Sequence, residues 1–293
     1  MKQIIFDCDS TVGLPGKPMD DALALLYLLG RLEEAEVLGI TCTFGNGTTA
    51  EVYRSTVQLL QEIGRTHIPL LKGADRGEDP CSEAARFIAE TVNARPGEVS
   101  IMAIGSMTNL YGAWLLDNTV FDKVREIVLM GGYTGPVIYH GISLDELNFS
   151  QNPAAAACVL SHGTNISILT GNNTLEPSYL PREEFLELVR PDSFIAQKCG
   201  YRFDDQGNRY GDPISYCWDV VASVYLLHPE LFTDVPTPCA IKEHALKAGW
   251  LAPNRENCRD NRILNLPVVA DAAAYRREMF AGWQDFRIGE EQA

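Results

Sequence analysis

The sequence lacks several features that would point to nucleic-acid or membrane functions. No run of lysine and arginine stands out, and the formal net charge is -15. A polyanionic partner would meet a repulsive average field, so we expect neither nucleic acid nor an acidic membrane as a partner. The apolar run at the start of the chain ends at Asp7. It is too short for a signal peptide or a membrane span, and we therefore expect a cytoplasmic protein.

The cysteines lack the spacing of a metal site, and the chain lacks a domain boundary. None of the eight cysteines forms a CxxC pair or a zinc-like cluster with histidine, so we interpret them as reduced, mainly structural thiols. No composition shift, proline-rich or serine-rich linker, or internal repeat divides the chain. We therefore predict one domain over residues 1–293.

Short apolar runs of strand length alternate with amphipathic helical patterns in the first half of the chain. The strand-like runs are residues 3–6, 37–42, 68–71, 100–104, 127–130 and 166–169, and the helical patterns are residues 20–29, 49–63, 82–92, 107–116 and 153–160. This alternation is typical of an α/β fold with an open, mostly parallel, doubly wound sheet. Residues 204–213 and 247–265 show no clear period, and we expect surface loops or a small hairpin there.

Four carboxylates lie close to the end of the first predicted strand. Asp7 and Asp9 follow the strand, and Asp20 and Asp21 open the next helix. Ligands bind at the carboxyl ends of strands in such sheets. Either helical aspartate alone could simply complement the helix dipole. The four carboxylates together would repel one another unless a hard cation such as Ca²⁺ or Mg²⁺ neutralised them, so we predict a metal site.

Three later segments place polar groups after a strand or before a helix. The pair Gly131-Gly132 follows residues 127–130 and lets backbone carbonyls approach a ligand. Glu146 and Asn148 are two residues apart, so in an extended segment they would share a face and could hold one polyol. An ordinary capping loop explains that pair equally well. Asp219 precedes an apolar helix, and taken alone it is more simply an N-cap.

Taken in order, these motifs resemble the inosine-uridine nucleoside hydrolase family. The matching segments are Asp7, Asp9 with Asp20-Asp21-Ala22, Gly45-Asn46, Ser106 to Asn109, Met130-Gly131-Gly132, Glu146 to Asn148, Asn152-Pro153, Trp218-Asp219 and Val268 to Asp271. The resemblance implies a calcium-dependent hydrolase that splits the N-glycosidic bond of ribonucleosides into ribose and free base, as in purine and pyrimidine salvage. It also implies a homodimer or homotetramer.

The resemblance further implies a role for each matched residue. Ca²⁺ would be bound by Asp9, Asp21, Asp219 and the backbone carbonyl of Leu129, and the ribose by Asp20, Asn46, Glu146 and Asn148. Asp9 would take a proton from a water whose pKa the cation lowers, and this water would attack the anomeric carbon. Nearby carboxylates, Asp20 among them, would stabilise an oxocarbenium-like transition state.

Three departures from the family pattern concern the pocket. Ten residues separate Asp9 from Asp20, far more than in the family motif, so a loop should bulge out before the helix. The family's late histidine, a leaving-group acid in some members, is Trp218 here, which can stack on a base but is no useful proton donor. His140 replaces an expected asparagine and is a candidate acid, although a loop histidine is more often incidental.

Two other functions fit parts of the sequence. The stretch from Ile4 to Val12 also matches the Asp-x-Asp-x-Thr opening of haloacid-dehalogenase-type phosphatases. Asp7 would then be the nucleophile, Asp9 the acid and base, and Mg²⁺ the metal. That interpretation finds no acidic pair after a later strand and leaves Asp20, Asp21 and Asp219 unexplained. The other alternative is a non-catalytic nucleoside- or ribose-binding protein that kept the pocket.

Overall fold

The computed structural model describes residues 1–139, 141–190, 192–200, 214–253 and 261–289. The strands in this part of the chain are β1 (Lys2–Cys8), β2 (Ala35–Cys42), β3 (Leu70–Lys72), β4 (Val99–Ala103), β5 (Glu126–Met130), β6 (Ile138–Tyr139), β7 (Ile142–Ser143), β8 (Ile166–Leu169), β9 (Tyr179–Pro181), β10 (Ile214–Tyr216), β11 (Phe232–Thr233), β12 (Pro236–Ala240), β13 (Ala252–Pro253), β14 (Asn261–Asn265) and β15 (Val268–Val269).

The helices surround this set of strands. Within the described ranges they are α1 (Asp20–Leu29), α2 (Thr49–Glu62), α3 (Glu83–Ala94), α4 (Thr108–Leu116), α5 (Pro153–His162), α6 (Gly171–Ser178), α7 (Arg182–Leu188), α8 (Phe194–Cys199), α9 (Trp218–Leu227), α10 (Glu243–Leu246) and α11 (Ala272–Asp285). No helix in the described residues is long and apolar enough to cross a membrane.

Nine of these strands form one open sheet in the order β13-β12-β14-β8-β5-β4-β1-β2-β3. Pairing is parallel from β14 to β3, whereas β12 runs antiparallel to β13 and β14. Alternate residues of a strand face opposite sides, and β1 shows this: Ile4 and Phe6 join one apolar core and Ile5 the other. The predicted mostly parallel α/β sheet is confirmed.

The six predicted strands correspond to β1 to β5 and β8, and the five predicted helices to α1 to α5. Their predicted boundaries agree with the structure to within two residues. The prediction for residues 247–265 was partly wrong. Residues 261–265 form β14, which lies between β12 and β8 in the main sheet. Its sequence, NRILN, has too few apolar residues to give a strand-like run. Residues 204–213 lie outside the described part.

Helix α1 is buried along its whole length, which fixes the position of the two aspartates at its start. The Trp283 indole N–H of α11 donates to the Leu23 carbonyl at 2.9 Å. Gly30 and Gly282 let the two segments approach closely, because a Cβ at Gly30 would lie 1.9 Å from the Gly282 carbonyl oxygen. The C-terminal helix therefore anchors the helix that carries Asp20 and Asp21.

We expect Gly282→Ala to destabilise the fold. The new methyl would lie 2.2 Å from Tyr27 Cδ2, and overpacking of this kind costs about 1–3 kcal/mol. Urea denaturation monitored by circular dichroism measures the change. Gly135→Ala is the matched control, because its methyl would meet only Asn172 Nδ2 at 3.6 Å. Equal stability of the two variants would contradict the close packing of α1 and α11.

Candidate active site

Three aspartates from two helices meet at the carboxyl end of the central strands. Asp20 and Asp21 are the first residues of α1, and Asp219 is the second residue of α9. One carboxylate oxygen from each lies within 4.8 Å of the others, and all three side chains are buried. Asp219 has no N-cap role, since the N-cap of its helix is Cys217. The packing of α1 against α9 brings these carboxylates together.

Asp9 lies beside this cluster at the end of β1. Its backbone N–H donates to Asp21 Oδ1 at 3.0 Å, and its Oδ2 accepts the Asn46 backbone N–H at 2.5 Å. Within the described residues, Asp9 Oδ1 and Asp21 Oδ2 are buried without a hydrogen-bond partner. A buried carboxylate oxygen without a donor is costly, and a bound cation would satisfy both oxygens.

Burial and mutual repulsion raise the pKa of Asp9, Asp21 and Asp219. Burial, opposed by the Asn46 N–H and reinforced by Asp20, raises the pKa of Asp9 from 3.8 to about 7. Burial and the neighbouring carboxylates also raise the pKa of Asp21 and Asp219 well above the usual range. At 4.8 Å, two ionised carboxylates repel by about 3.5 kcal/mol at an effective dielectric constant of about 20. The donor set and its excess charge fit a hard divalent cation.

A cavity of about 490 Å³ opens above the carboxylates. Six of the predicted site residues line it: Asp20, Asn46, Glu146, Asn148, Trp218 and Asp219. Asp9 and Asp21 are buried beside it, at 1% exposure each. Leu129 is buried in β5, and the cavity wall is formed instead by the next residue, Met130. His140 lies outside the described residues.

Glu146 and Asn148 are anchored to backbone groups. The Glu146 carboxylate accepts the N–H groups of Gly132, Phe149 and Ser150 at 3.1, 2.8 and 2.8 Å. The Asn148 amide donates to the carbonyls of Ile104 and Met130 at 3.0 and 2.8 Å, and its remaining polar atom is the side-chain oxygen. Both residues therefore hold the loop after β5 against the strand ends in addition to lining the cavity.

Asp7 does not line the cavity. Its Oδ1 accepts the Thr41 hydroxyl at 2.6 Å and the Asn109 amide at 2.8 Å. Burial raises its pKa to about 7 in spite of these hydrogen bonds. The phosphatase interpretation requires Asp7 as an accessible nucleophile, and the side chain is fully buried.

The insertion between Asp9 and Asp20 forms part of the cavity mouth. Gly16 and Pro18 line the cavity, and the Lys17 ammonium donates to the Asn46 carbonyl at 2.5 Å. The Val12 carbonyl accepts the Ser55 hydroxyl of α2 at 2.7 Å. The loop is therefore tied to both the Asn46 segment and α2, as expected for a loop that bulges out before α1.

Aromatic rings form part of the cavity wall. Tyr216 and Trp218 stack with ring centroids 5.0 Å apart and planes at 24°. Tyr139 packs edge-on against Tyr216 at 5.4 Å. Tyr133 also lines the cavity and belongs to the same apolar cluster as Trp218. Tyr133 and Tyr216 were not predicted as site residues, although Tyr216 lies two residues before the Trp218-Asp219 motif.

Comparison with known proteins identifies the family. A family model described as inosine-uridine preferring nucleoside hydrolase matches residues 4–275. The chain belongs to this family. Nucleoside hydrolases act on N-glycosyl bonds, and the predicted resemblance and enzyme class are confirmed.

Curated relatives of this nucleoside hydrolase carry consistent names. The inosine-uridine preferring nucleoside hydrolase of Crithidia fasciculata is 28% identical over 278 residues, covering 82% of this chain and 84% of the relative. Probable uridine nucleosidase 2 of Oryza sativa subsp. japonica is 27% identical over 265 residues, covering 79% and 76%.

Solved structures of nucleoside hydrolases share the fold. A plant nucleoside hydrolase superposes with a TM-score of 0.81 at 21% identity, covering 96% of this chain and 98% of that chain. A purine-preferring ribonucleoside hydrolase from Gardnerella vaginalis gives 0.80 at 22% identity, covering 98% and 100%. These comparisons show that the open α/β sheet of the chain is that of the family.

We expect the stability of the cation-free protein to fall as the pH rises. Because folding raises the pKa of Asp9 from 3.8 to about 7, the folded state binds protons more tightly than the unfolded state. This stabilising contribution is complete below the pKa of Asp9 in the unfolded chain, and it is lost as the pH rises through the pKa of Asp9 in the folded protein. Thermal unfolding in a chelator should give a lower Tm at about pH 7.5 than at about pH 5.5.

Added divalent cation should raise the Tm more at the higher pH, because protons and cation compete for the same oxygens. Asp219→Asn should reduce both the pH dependence of the Tm in chelator and the increase in Tm caused by the cation. Asp122→Asn, at an exposed position, serves as its control. A cation-induced increase in Tm that is the same at both pH values would contradict the assignment of these carboxylates as the cation site.

We expect Gly45→Ala to reduce nucleoside hydrolysis by about 100-fold, because it displaces Asp9, the predicted base, from its position. A Cβ at Gly45 would lie 2.1 Å from Asp9 Oδ2. The measurement is kcat for ribose release, with circular dichroism to verify folding. Gly135→Ala serves as the control for the loss of a glycine. Full activity of a folded Gly45→Ala variant would show that the position of Asp9 is not critical.

Proposed function

We propose that the protein is a calcium-dependent nucleoside hydrolase that converts ribonucleosides to ribose and free base. The observation that carries this proposal is the meeting of Asp20, Asp21 and Asp219 within 4.8 Å, beside Asp9, at the floor of a cavity with an aromatic wall. The family membership of the chain supports the reaction class.

The donor set favours Ca²⁺ over Mg²⁺. Mg²⁺ keeps several waters and usually takes one or two carboxylates, whereas Ca²⁺ accepts many oxygen ligands in a flexible geometry. We assign Asp9, Asp21, Asp219 and the Leu129 carbonyl as its protein ligands, as the family resemblance implies. When bound, the cation lowers the pKa of a coordinated water and offsets the repulsion among the carboxylates.

Asp9 is the proposed general base. Its Oδ1 is buried and lacks a hydrogen-bond donor among the described residues, so beside a bound cation this oxygen keeps a second lone pair that can take a proton from the attacking water. The Asn46 N–H and the nearby Gly45 backbone hold the other oxygen in place. Water then adds to the anomeric carbon as the bond to the base nitrogen breaks.

The remaining predicted residues act on the ribose. Asp20 lines the cavity and carries negative charge next to the position where the ring becomes oxocarbenium-like, which stabilises that charge. Asn46 and the side-chain oxygen of Asn148 can bond ribose hydroxyls. Glu146 already accepts three backbone N–H groups, so we assign it the double role of holding its loop and contacting the ribose.

The aromatic wall is the proposed position of the nucleobase. Trp218 and Tyr216 provide flat apolar surface that a base can stack on, with an effect of about 0.5–1.5 kcal/mol for such a ring pair. Relatives are named for uridine, for inosine and uridine, and for purines, so the base of this enzyme is left open. His140 stays a predicted alternative proton donor.

Release of ribose from purine and pyrimidine ribonucleosides tests the proposal. We expect reducing sugar to appear with at least one nucleoside, to disappear with a calcium chelator, and to return with Ca²⁺ more than with Mg²⁺. A phosphomonoester assayed in parallel should release no phosphate. Phosphate release without ribose release would instead support the phosphatase, and neither product would support the non-catalytic binder.

Asp9→Asn separates catalysis from binding. The variant keeps the size of the side chain but loses the proton acceptor, so kcat should fall by at least about 100-fold. Nucleoside binding, measured by quenching of tryptophan fluorescence, should persist. The exposed Asp122→Asn is the matched control and should keep full activity. Undiminished ribose release by Asp9→Asn would refute the assigned base.

The homodimer or homotetramer, which the family resemblance implies, and the cytoplasmic location stay predictions.

A further inference from the structure

The charged side chains lining the cavity are all acidic in the described part of the chain. They are Asp20, Asp145, Glu146 and Asp219. A divalent cation would offset two of the four formal charges of Asp9, Asp20, Asp21 and Asp219, and Asp145 and Glu146 add two further acidic groups to the lining. Lys17 is held at the Asn46 carbonyl outside the lining, near the charge of Glu51. A cationic substrate would enter a favourable field.

The aromatic wall adds a surface suited to a cation. Tyr133, Tyr216 and Trp218 line the cavity, and the stacked pair of Tyr216 and Trp218 has its ring centroids 5.0 Å apart. Asp145 is exposed at the rim and lies in the same lining. Aromatic faces attract organic cations through the ring quadrupole, most strongly when the cation is desolvated.

The same lining has few groups left to protonate a departing base. Its described residues include no histidine, lysine, arginine or cysteine. Asp20, Glu146 and Asp219 are assigned to the ribose and the cation, which leaves Asp145 and the hydroxyls of Tyr133 and Tyr216. Trp218 stands where the family resemblance placed a histidine, and its indole N–H is no acid. A neutral nucleobase leaves as an anion unless it receives a proton. A base that already carries a positive charge needs no proton, because the bond electrons neutralise it.

We propose that the preferred substrates are ribonucleosides whose base carries a fixed positive charge, such as N7-alkylated purine or N-ribosyl pyridinium compounds. This inference rests on the proposed function and specifies its substrate class. The bond between C1′ and the base nitrogen breaks, and both electrons stay on the nitrogen, which becomes neutral. Water oxygen bonds to C1′ and gives one proton to Asp9, which passes it to solvent. The products are ribose, a neutral base and one proton.

The test compares each cationic nucleoside with its neutral parent. The pairs are guanosine with 7-methylguanosine and inosine with 7-methylinosine, at a pH at which the methylated base is fully cationic. Nicotinamide riboside is the pyridinium case. We expect kcat/KM to be at least about tenfold higher for the methylated member of each pair, with a lower KM. Equal values within the pairs would overturn this inference and leave the proposed function standing.

The neutral 4-nitrophenyl riboside separates charge recognition from leaving-group reactivity, because its phenolate leaves without a proton. Asp145→Asn should raise KM for 7-methylguanosine several-fold and leave KM for the nitrophenyl riboside unchanged. The exposed Asp122→Asn should change neither KM. Trp218→Leu should raise KM for 7-methylguanosine more than KM for guanosine.

If the higher kcat/KM of the methylated nucleosides is unchanged in both Asp145→Asn and Trp218→Leu, leaving-group reactivity alone produces it, and recognition of the positive charge is overturned. No ribose from any substrate, including the nitrophenyl riboside, would refute the proposed function itself.

Discussion

The mutual repulsion of buried carboxylates is the constraint around which this end of the sheet is organised. Asp9, Asp20, Asp21 and Asp219 are each at most 6% exposed, and two of their oxygens lack hydrogen-bond partners in the described structure. Such a group is stable only if the surrounding fold forces it together or a cation offsets its charge. The packing of α1 against α9 meets the first condition, and the cluster could hold a cation that would meet the second. The fully buried α1 cannot move its first residues away, because α11 anchors it through Trp283 and the contact of Gly30 with Gly282.

The carboxylates also explain the geometry of the neighbouring loops. The Asn46 N–H faces one oxygen of Asp9, and Gly45 and Gly105 leave no room for a Cβ beside that side chain. Glu146 and Asn148 fasten their loop to Gly132, Met130 and Ile104, at the ends of β5 and β4. Polar residues at these positions thus serve two purposes. They line the cavity, and they fix the loop backbones against the ends of the strands.

The sequence predicted the parts of this arrangement that depend on local pattern. Strands such as β8 and helices such as α1 were placed correctly, because continuous apolar runs and buried helical patterns have a clear period. Strand β14 was missed, since its pairing with β8 depends on a distant segment rather than on its own residues. The hydrogen bonds of Asp7 and the position of Tyr216 were equally unforeseeable. The orientation of a side chain after a strand is decided by its tertiary neighbours.

The site is assembled from residues far apart in the chain. Asp9, Asp20 and Asp21 come early, whereas Asp219 and the anchoring helix α11 come late. During synthesis, a ribosome-bound chain that has released only its first strands therefore lacks Asp219 and has only part of the carboxylate cluster. A cation held between Asp21 and Asp219 would be captured only after the later segments have docked, which would make metal loading a late step, separable from the early steps of folding.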